Sequence, residues 1–304
     1  NLPSNGRLAA GIVMDFARAL DPSLADWIEA ECRFPASMVD RITPATTEAD
    51  VARVAEATGK LDPACVLHEP FRQWVIEDDF VDGLRPAWDK AGAQMVRNVE
   101  PHEHMKLRCL NGTHSTLAYL GYLAGNETIA ATVADPVFAD LCRKLWATEI
   151  VPTVPQPEGE DLTAYTEALL ARYKNPAIRH RTWQIAMDGS QKLPQRILQT
   201  VADNLEAGRP VEGLGLAVAG WMRYVGGVDE GGGAIEVKDP LAERLRALSD
   251  GAGTPAEKVA ALLAVEDVFD PGLALDPRFR TAVTAAYEGL VAKGARAMVA
   301  EYVA

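Results

Sequence analysis

Cysteine is scarce and unpatterned. Four residues, Cys32, Cys65, Cys109 and Cys142, stand in a chain of 304 with no Cys-x-x-Cys pair. A disulfide framework is therefore not expected, and their apolar or helical surroundings fit reduced, buried thiols in a cytoplasmic protein. Positive charge is also short: 30 Lys and Arg face 43 Asp and Glu, a net charge of −13. Such a surface attracts neither nucleic acid nor an anionic membrane, although a few local cations suffice to hold a small anion. Long hydrophobic runs are missing as well, since the stretch from Leu214 to Met222 is too short to span a bilayer. No basic start followed by an apolar segment marks a secretory signal. A Walker-type phosphate loop, a Ser/His/Asp set and a Cys/His set are all absent. What remains, with 48% hydrophobic and 24% charged residues, is an ordinary globular composition, long enough for two domains.

Helix-start signals dominate what is there. Six Asp-Pro pairs begin at 21, 62, 135, 239, 270 and 276, each offering Asp as N-cap and Pro as first helical residue. Thr47 and Asp50 form a capping-box pattern. Segments 7–20, 22–31 and 47–58 are predicted helices, and Phe71 to Glu77, aromatic and β-branched, is the predicted strand. From about Val96 to Tyr302 the patterns are nearly all helical. The interruptions are a Pro- and acid-rich loop, Pro152 to Asp161, and a loop from Gly226 to Gly233. The expected fold is mainly α, a mixed segment over 1–95 preceding a helical domain over 96–304.

The run Lys106-Leu-Arg-Cys-Leu-Asn111-Gly-Thr-His114 carries the strongest chemical signal. On an α-helix Asn111 lies about 140° and His114 about 80° round from Lys106, so the three share less than half the circumference. The run continues into apolar Leu117-Ala118-Tyr119-Leu120, which suits a site set into a core. A buried Lys has a lowered pKa and can act as general acid or base. An Asn amide can donate to a developing oxyanion, and a His can orient a hydroxyl. These are the parts that alcohol–carbonyl interconversion needs beside a hydride carrier.

Other candidates carry less. Arg179, Arg181, Lys192 and Arg196 put four cations within eighteen residues of an acidic chain, pointing to an anion or polyhydroxyl site, with Gly189 and Pro194 expected to break or kink the helix there. His102 and His104 beside Glu100 and Glu103 lack a spaced third metal ligand and read as a solvated turn. Gly213-Leu-Gly-Leu-Ala-Val-Ala-Gly220 lacks the sixth-position glycine and a preceding strand, so it reads as a close helix-packing face rather than a dinucleotide loop.

Lys106-x4-Asn111-x2-His114 resembles the catalytic signature of the polyol-specific long-chain dehydrogenases, the mannitol dehydrogenase family. The runs Arg179–Arg196 and Gly220–Asp229 look closest to its fructuronate reductase (D-mannonate oxidoreductase) branch, and Asn1-Leu2-Pro3 and Ser37–Pro44 also match family segments. The resemblance spans the whole chain. It implies the rear α/β part of a Rossmann-type domain followed by a helical substrate domain of the 6-phosphogluconate dehydrogenase C-terminal type. It further implies zinc-independent hydride transfer between NAD and a small sugar acid or polyol, in hexuronate catabolism if the branch is right.

Carried over, Lys106 is the general acid/base, Asn111 and Asn1 polarise the reacting oxygen, His114 holds a substrate hydroxyl, and Lys192 binds substrate. Asp40, in the segment Val39-Asp40-Arg41, lies near the nicotinamide. The mannitol-specific branch has an Arg eight residues before that Lys; here Gln184 stands there, which puts mannitol in question. Arg179 or Arg181 is the expected partner of a substrate carboxylate. The chain begins without Met and without the family's glycine-rich turn, so an N-terminally truncated chain with impaired dinucleotide binding is expected. A non-catalytic sugar-acid-binding module, or Schiff-base chemistry at Lys106, stays open as a different reading.

Overall fold

The computed structural model describes residues 3–304. The chain divides into two compact units, Asn1–Lys106 with Pro155–Glu160, and Leu107–Val154 with Asp161–Ala304.

In the first unit, three short strands form one sheet: β1 Ser37–Asp40, β2 Gln73–Glu77 and β3 Gln94–Val96. β1 runs antiparallel to β2, pairing Val39 with Trp74, and β3 runs parallel to β2. The observed β2 begins two residues later than expected, at Gln73. Its Gln73 Nε2 and the Gln94 Nε2 of β3 both donate to Glu160 Oε1, each at 2.8 Å. The Pro- and acid-rich loop is thus pinned along the sheet of this unit. Ala36, Met38, Val75, Val96 and Val99 form the core beneath. Helices Asn5–Leu20, Pro22–Glu31 and Glu48–Thr58 lie where expected. Asn5 brackets β1, its Nδ2 donating to Ser37 O at 2.6 Å while Ser37 N donates back to Oδ1 at 3.0 Å.

The second unit is helical apart from isolated bridges. Its centre is the Glu212–Val225 helix, packed against helices Pro277–Lys293 and Thr113–Leu123. The glycines of the Gly213–Gly220 run serve close approach: a Cβ on Gly213 would fall 2.4 Å from Tyr302 Oη, and one on Gly220 2.8 Å from Leu120 Cδ2. At this helix start buried Glu149 takes the Gly213 and Leu214 N–H groups, each at 2.8 Å. Tyr302 Oη donates to the same carboxylate at 2.9 Å.

All four cysteines are free. Cys109 and Cys142 are buried as expected, but Cys32 and Cys65 are only half-buried, since they sit at a helix end and in a surface turn. Among the described residues no helix is long and apolar enough to cross a membrane.

Candidate functional site

The Lys106–His114 run is helical, but not in the α register assumed from sequence. Residues Met105–Gly112 form a π-helix, which passes into an α-helix at Thr113. A π-turn joins residues five apart, so Lys106 and Asn111 stand one turn above the other rather than about 140° round. Gly112 explains what the wide turn packs against: a Cβ there would fall 2.6 Å from the backbone oxygen of Arg196.

His114 follows, only 5% exposed, with its Nε2 lacking any hydrogen-bond partner. Its ring stacks on Tyr173 at 5.2 Å and meets the edge of His180 at 4.6 Å. Tyr173 Oη donates to Leu110 O at 2.8 Å, tying this ring to the π-helix. Burial pushes His114 well below its usual pKa, helped by His180, Arg196, Arg172 and Lys192. His180 drops to about 4, first through burial and then through the Lys192 charge. Its Nδ1 is also buried without a partner. Both imidazoles are therefore neutral at pH 7 and able to accept or donate a hydrogen bond.

Lys192 and Arg196 reach the cluster from one continuous helical stretch. Pro194 does not break it: the register widens to a π-turn over Pro194–Leu198, and Gln199 N donates to Pro194 O. A wider turn absorbs the missing proline N–H without ending the helix. The chain does break beside Gly189: the helix Thr182–Ala186 ends and the stretch carrying Lys192 opens at Gly189, where a Cβ would lie 2.4 Å from Trp221 Nε1 and 2.5 Å from Tyr119 Oη. Asp188, just ahead, takes the left-handed conformation at φ 54°. Lys192 Nζ donates to Met187 O at 2.5 Å, and burial, then Arg196, lower its pKa against the pull of Asp188 and Asp239. Arg196 Nη1 donates to Ser115 Oγ at 3.2 Å.

The remaining candidates are placed as follows. Arg179 and Arg181 are exposed, with Arg181 Nε 3.7 Å from Glu127. Asp40 is buried in β1, whereas Val39 is 44% exposed beside its strand partner Trp74 at 40%. Asn111 is half-buried, and Asn1 lies outside the described residues. The expected solvated turn at His102 is wrong: His102 is buried, because its Nε2 meets the Glu158 carbonyl at 3.2 Å. Among the described residues no group of three or more His, Cys, Asp or Glu is placed to hold a metal. Sequence reasoning passed over His180 and Tyr173. The signal for His180 was its place between two arginines in an already suspect run; Tyr173 gave none.

What the second unit assembles is a cluster of two neutral imidazoles, an ammonium and a guanidinium, with His114 buried, the other three half-buried, and tyrosines at its flank. Such a set suits a polyhydroxylated anion.

The chain matches known proteins along its whole length. Residues 98–291 match the family described as mannitol dehydrogenase C-terminal domain, and residues 1–90 the mannitol dehydrogenase Rossmann domain. The chain is 51% identical to the D-mannonate oxidoreductase of Escherichia coli (strain K12), over 99% of this chain and 61% of that protein. It is 39% identical to the mannitol 2-dehydrogenase of Phaeosphaeria nodorum, over 99% of this chain and 52% of that one. Among solved structures, the ternary complex of Pseudomonas fluorescens mannitol 2-dehydrogenase with NAD and D-mannitol superposes with a TM-score of 0.90 at 37% identity, covering 100% of this chain and 61% of the other. The chain thus spans about three fifths of the length of relatives such as the first.

Proposed function

The chain belongs to the mannitol dehydrogenase family, and from that premise we propose that the protein interconverts D-fructuronate and D-mannonate with NAD(H). The observation that supports a sugar acid over a plain polyol is the cation-rich cluster around His114, with Gln184 at the position where the mannitol-specific branch has Arg. The 51% identity to a D-mannonate oxidoreductase points the same way.

In this reading Lys106 moves the proton at the reacting oxygen. Asn111 and Asn1 donate to that oxygen as it becomes an alkoxide. His114, neutral and with Nε2 free of protein partners, holds a neighbouring substrate hydroxyl. Lys192 binds the substrate, and Arg179 and Arg181 supply positive charge nearer solvent. For the nicotinamide end of a dinucleotide, Val39 and Trp74 offer an exposed apolar pair, and Asp40 is buried behind them in the same strand. When bound, NAD(H) exchanges the hydride.

Steady-state assay with NADH and D-fructuronate tests the reading. Lys106→Ala is expected to lose on the order of 100-fold or more in kcat, the scale of a general acid, while its far-UV circular dichroism stays unchanged. Near-normal turnover overturns the role of Lys106. Wild-type turnover of mannitol but not of D-fructuronate replaces the substrate with a polyol.

A further inference from the structure

Arg196 presents a problem that the family reading leaves unsolved. It lies in the helical stretch behind Lys192, with Gly112 pressed against its backbone oxygen and Ser115 Oγ taking one guanidinium N–H. A guanidinium has five N–H donors, and the described residues supply no other acceptor to this one. No carboxylate among the described residues forms an ion pair with it. Its neighbours are Tyr119 and Tyr173, themselves occupied by the carbonyls of Ala186 and Leu110. Burial lowers its pKa, as expected of a half-buried cation with no carboxylate beside it. A charge in such a place is costly unless something pairs with it. The same neighbourhood holds the unpartnered His114 Nε2 and His180 Nδ1. By contrast Arg181 already faces Glu127, and both Arg179 and Arg181 are solvated.

We infer that Arg196 reads the carboxylate of the substrate, and that the preference for a sugar acid over the matching uncharged polyol rests on Arg196 and not on Arg179 or Arg181. The planar guanidinium takes the carboxylate through two parallel N–H bonds, while His114 and Lys192 meet the hydroxyls of the carbon chain. An uncharged polyol offers a hydroxyl at that end and leaves the guanidinium charge uncompensated, so Arg196 both rewards the acid and penalises the polyol. This deepens the proposed function and rests on its assignment of the His114 cluster as the substrate site.

Calorimetric titration with D-mannonate and with D-mannitol tests it without requiring turnover. Wild type is expected to bind D-mannonate about 10- to 100-fold more tightly, the worth of a charge-assisted pair. Arg196→Met, which replaces the charge with a side chain of similar length, is expected to collapse that ratio to within about 3-fold. Arg196→Lys keeps a charge but loses the fork, and is expected to lie between the two. Arg181→Gln is expected to keep the wild-type ratio. A full ratio in folded Arg196→Met or in Arg196→Lys overturns the inference, as does a collapse in Arg181→Gln or a wild type that does not discriminate. If wild type prefers D-mannonate through Arg196 yet does not reduce D-fructuronate, the proposed reaction falls and this inference stands. If D-fructuronate is reduced but Arg196→Met keeps its preference, this inference falls alone.

Discussion

Gly112 has the backbone oxygen of Arg196 where its side chain would be, and this contact couples the Met105–Gly112 turn to the stretch that carries Lys192 and Arg196. Replacing Gly112 with Ala forces the Met105–Gly112 π-helix and the Arg196 backbone apart. Overpacking of this kind costs about 1–3 kcal/mol; thermal unfolding is expected to show that loss, with sugar-acid affinity falling beyond what reduced folding explains. The Lys106, Asn111 and His114 triplet was legible in the sequence because the spacing of three unlike polar groups is visible in one dimension. Its π register was not, since it arises from packing against Arg196, more than eighty residues along the chain. Arg196 itself was visible only as one cation among four. What singles it out is the missing acid beside it, and a sequence does not display a missing neighbour.

Helix ends were read well where the cap is local. Asp21, Asp135, Asp270 and Asp276 all cap helices from their Asp-Pro pairs, and Thr47 with Asp50 closes a full capping box. Two pairs failed for different reasons. Asp62 starts only a turn, accepting from Ala64 N. Asp239 is recruited across the fold instead, accepting from Ser190 N at 2.8 Å, Ser190 Oγ at 2.6 Å and Leu241 N at 2.9 Å. It thereby fastens the start of the stretch that carries Lys192. β1 and β3, at four and three residues, were too short for alternation to register. These differences set an order of stabilities. Thr254→Ala removes one cap of the Thr254/Glu257 box and is expected to cost about 1 kcal/mol. Asp239→Ala strands three donors and is expected to cost more, about 2–3 kcal/mol, with weaker substrate binding. Urea unfolding of the two variants checks the order.

At the scale of the whole molecule, the imidazoles of His114 and His180 make stability depend on pH. His180 titrates near 4 in the folded chain, and His114 well below its usual value, against about 6.5 unfolded. Between pH 6.5 and 4 the unfolded chain therefore binds protons that the folded one refuses, so stability falls as pH falls through that window. Glu149 and Glu103, raised by burial, act in the opposite sense above their usual range, and a single-variant comparison removes them. His180→Gln is expected to flatten the profile, the difference from wild type changing by up to about 1.4 kcal/mol per pH unit below 6.5. Parallel profiles of the two proteins would remove His180 from this account.

The uncompensated guanidinium of Arg196 has a consequence for how the protein reports on its surroundings. A fold that carries an unpaired cation recovers free energy when an anion arrives, and only the folded state offers that recovery. At a hundredfold excess over the dissociation constant, such a ligand adds about 2.7 kcal/mol to stability. That is several degrees in melting temperature for a chain of this size. The melting point of this protein thus becomes a gauge of the acid we propose for it, readable in a panel of candidate compounds before any reaction has been observed.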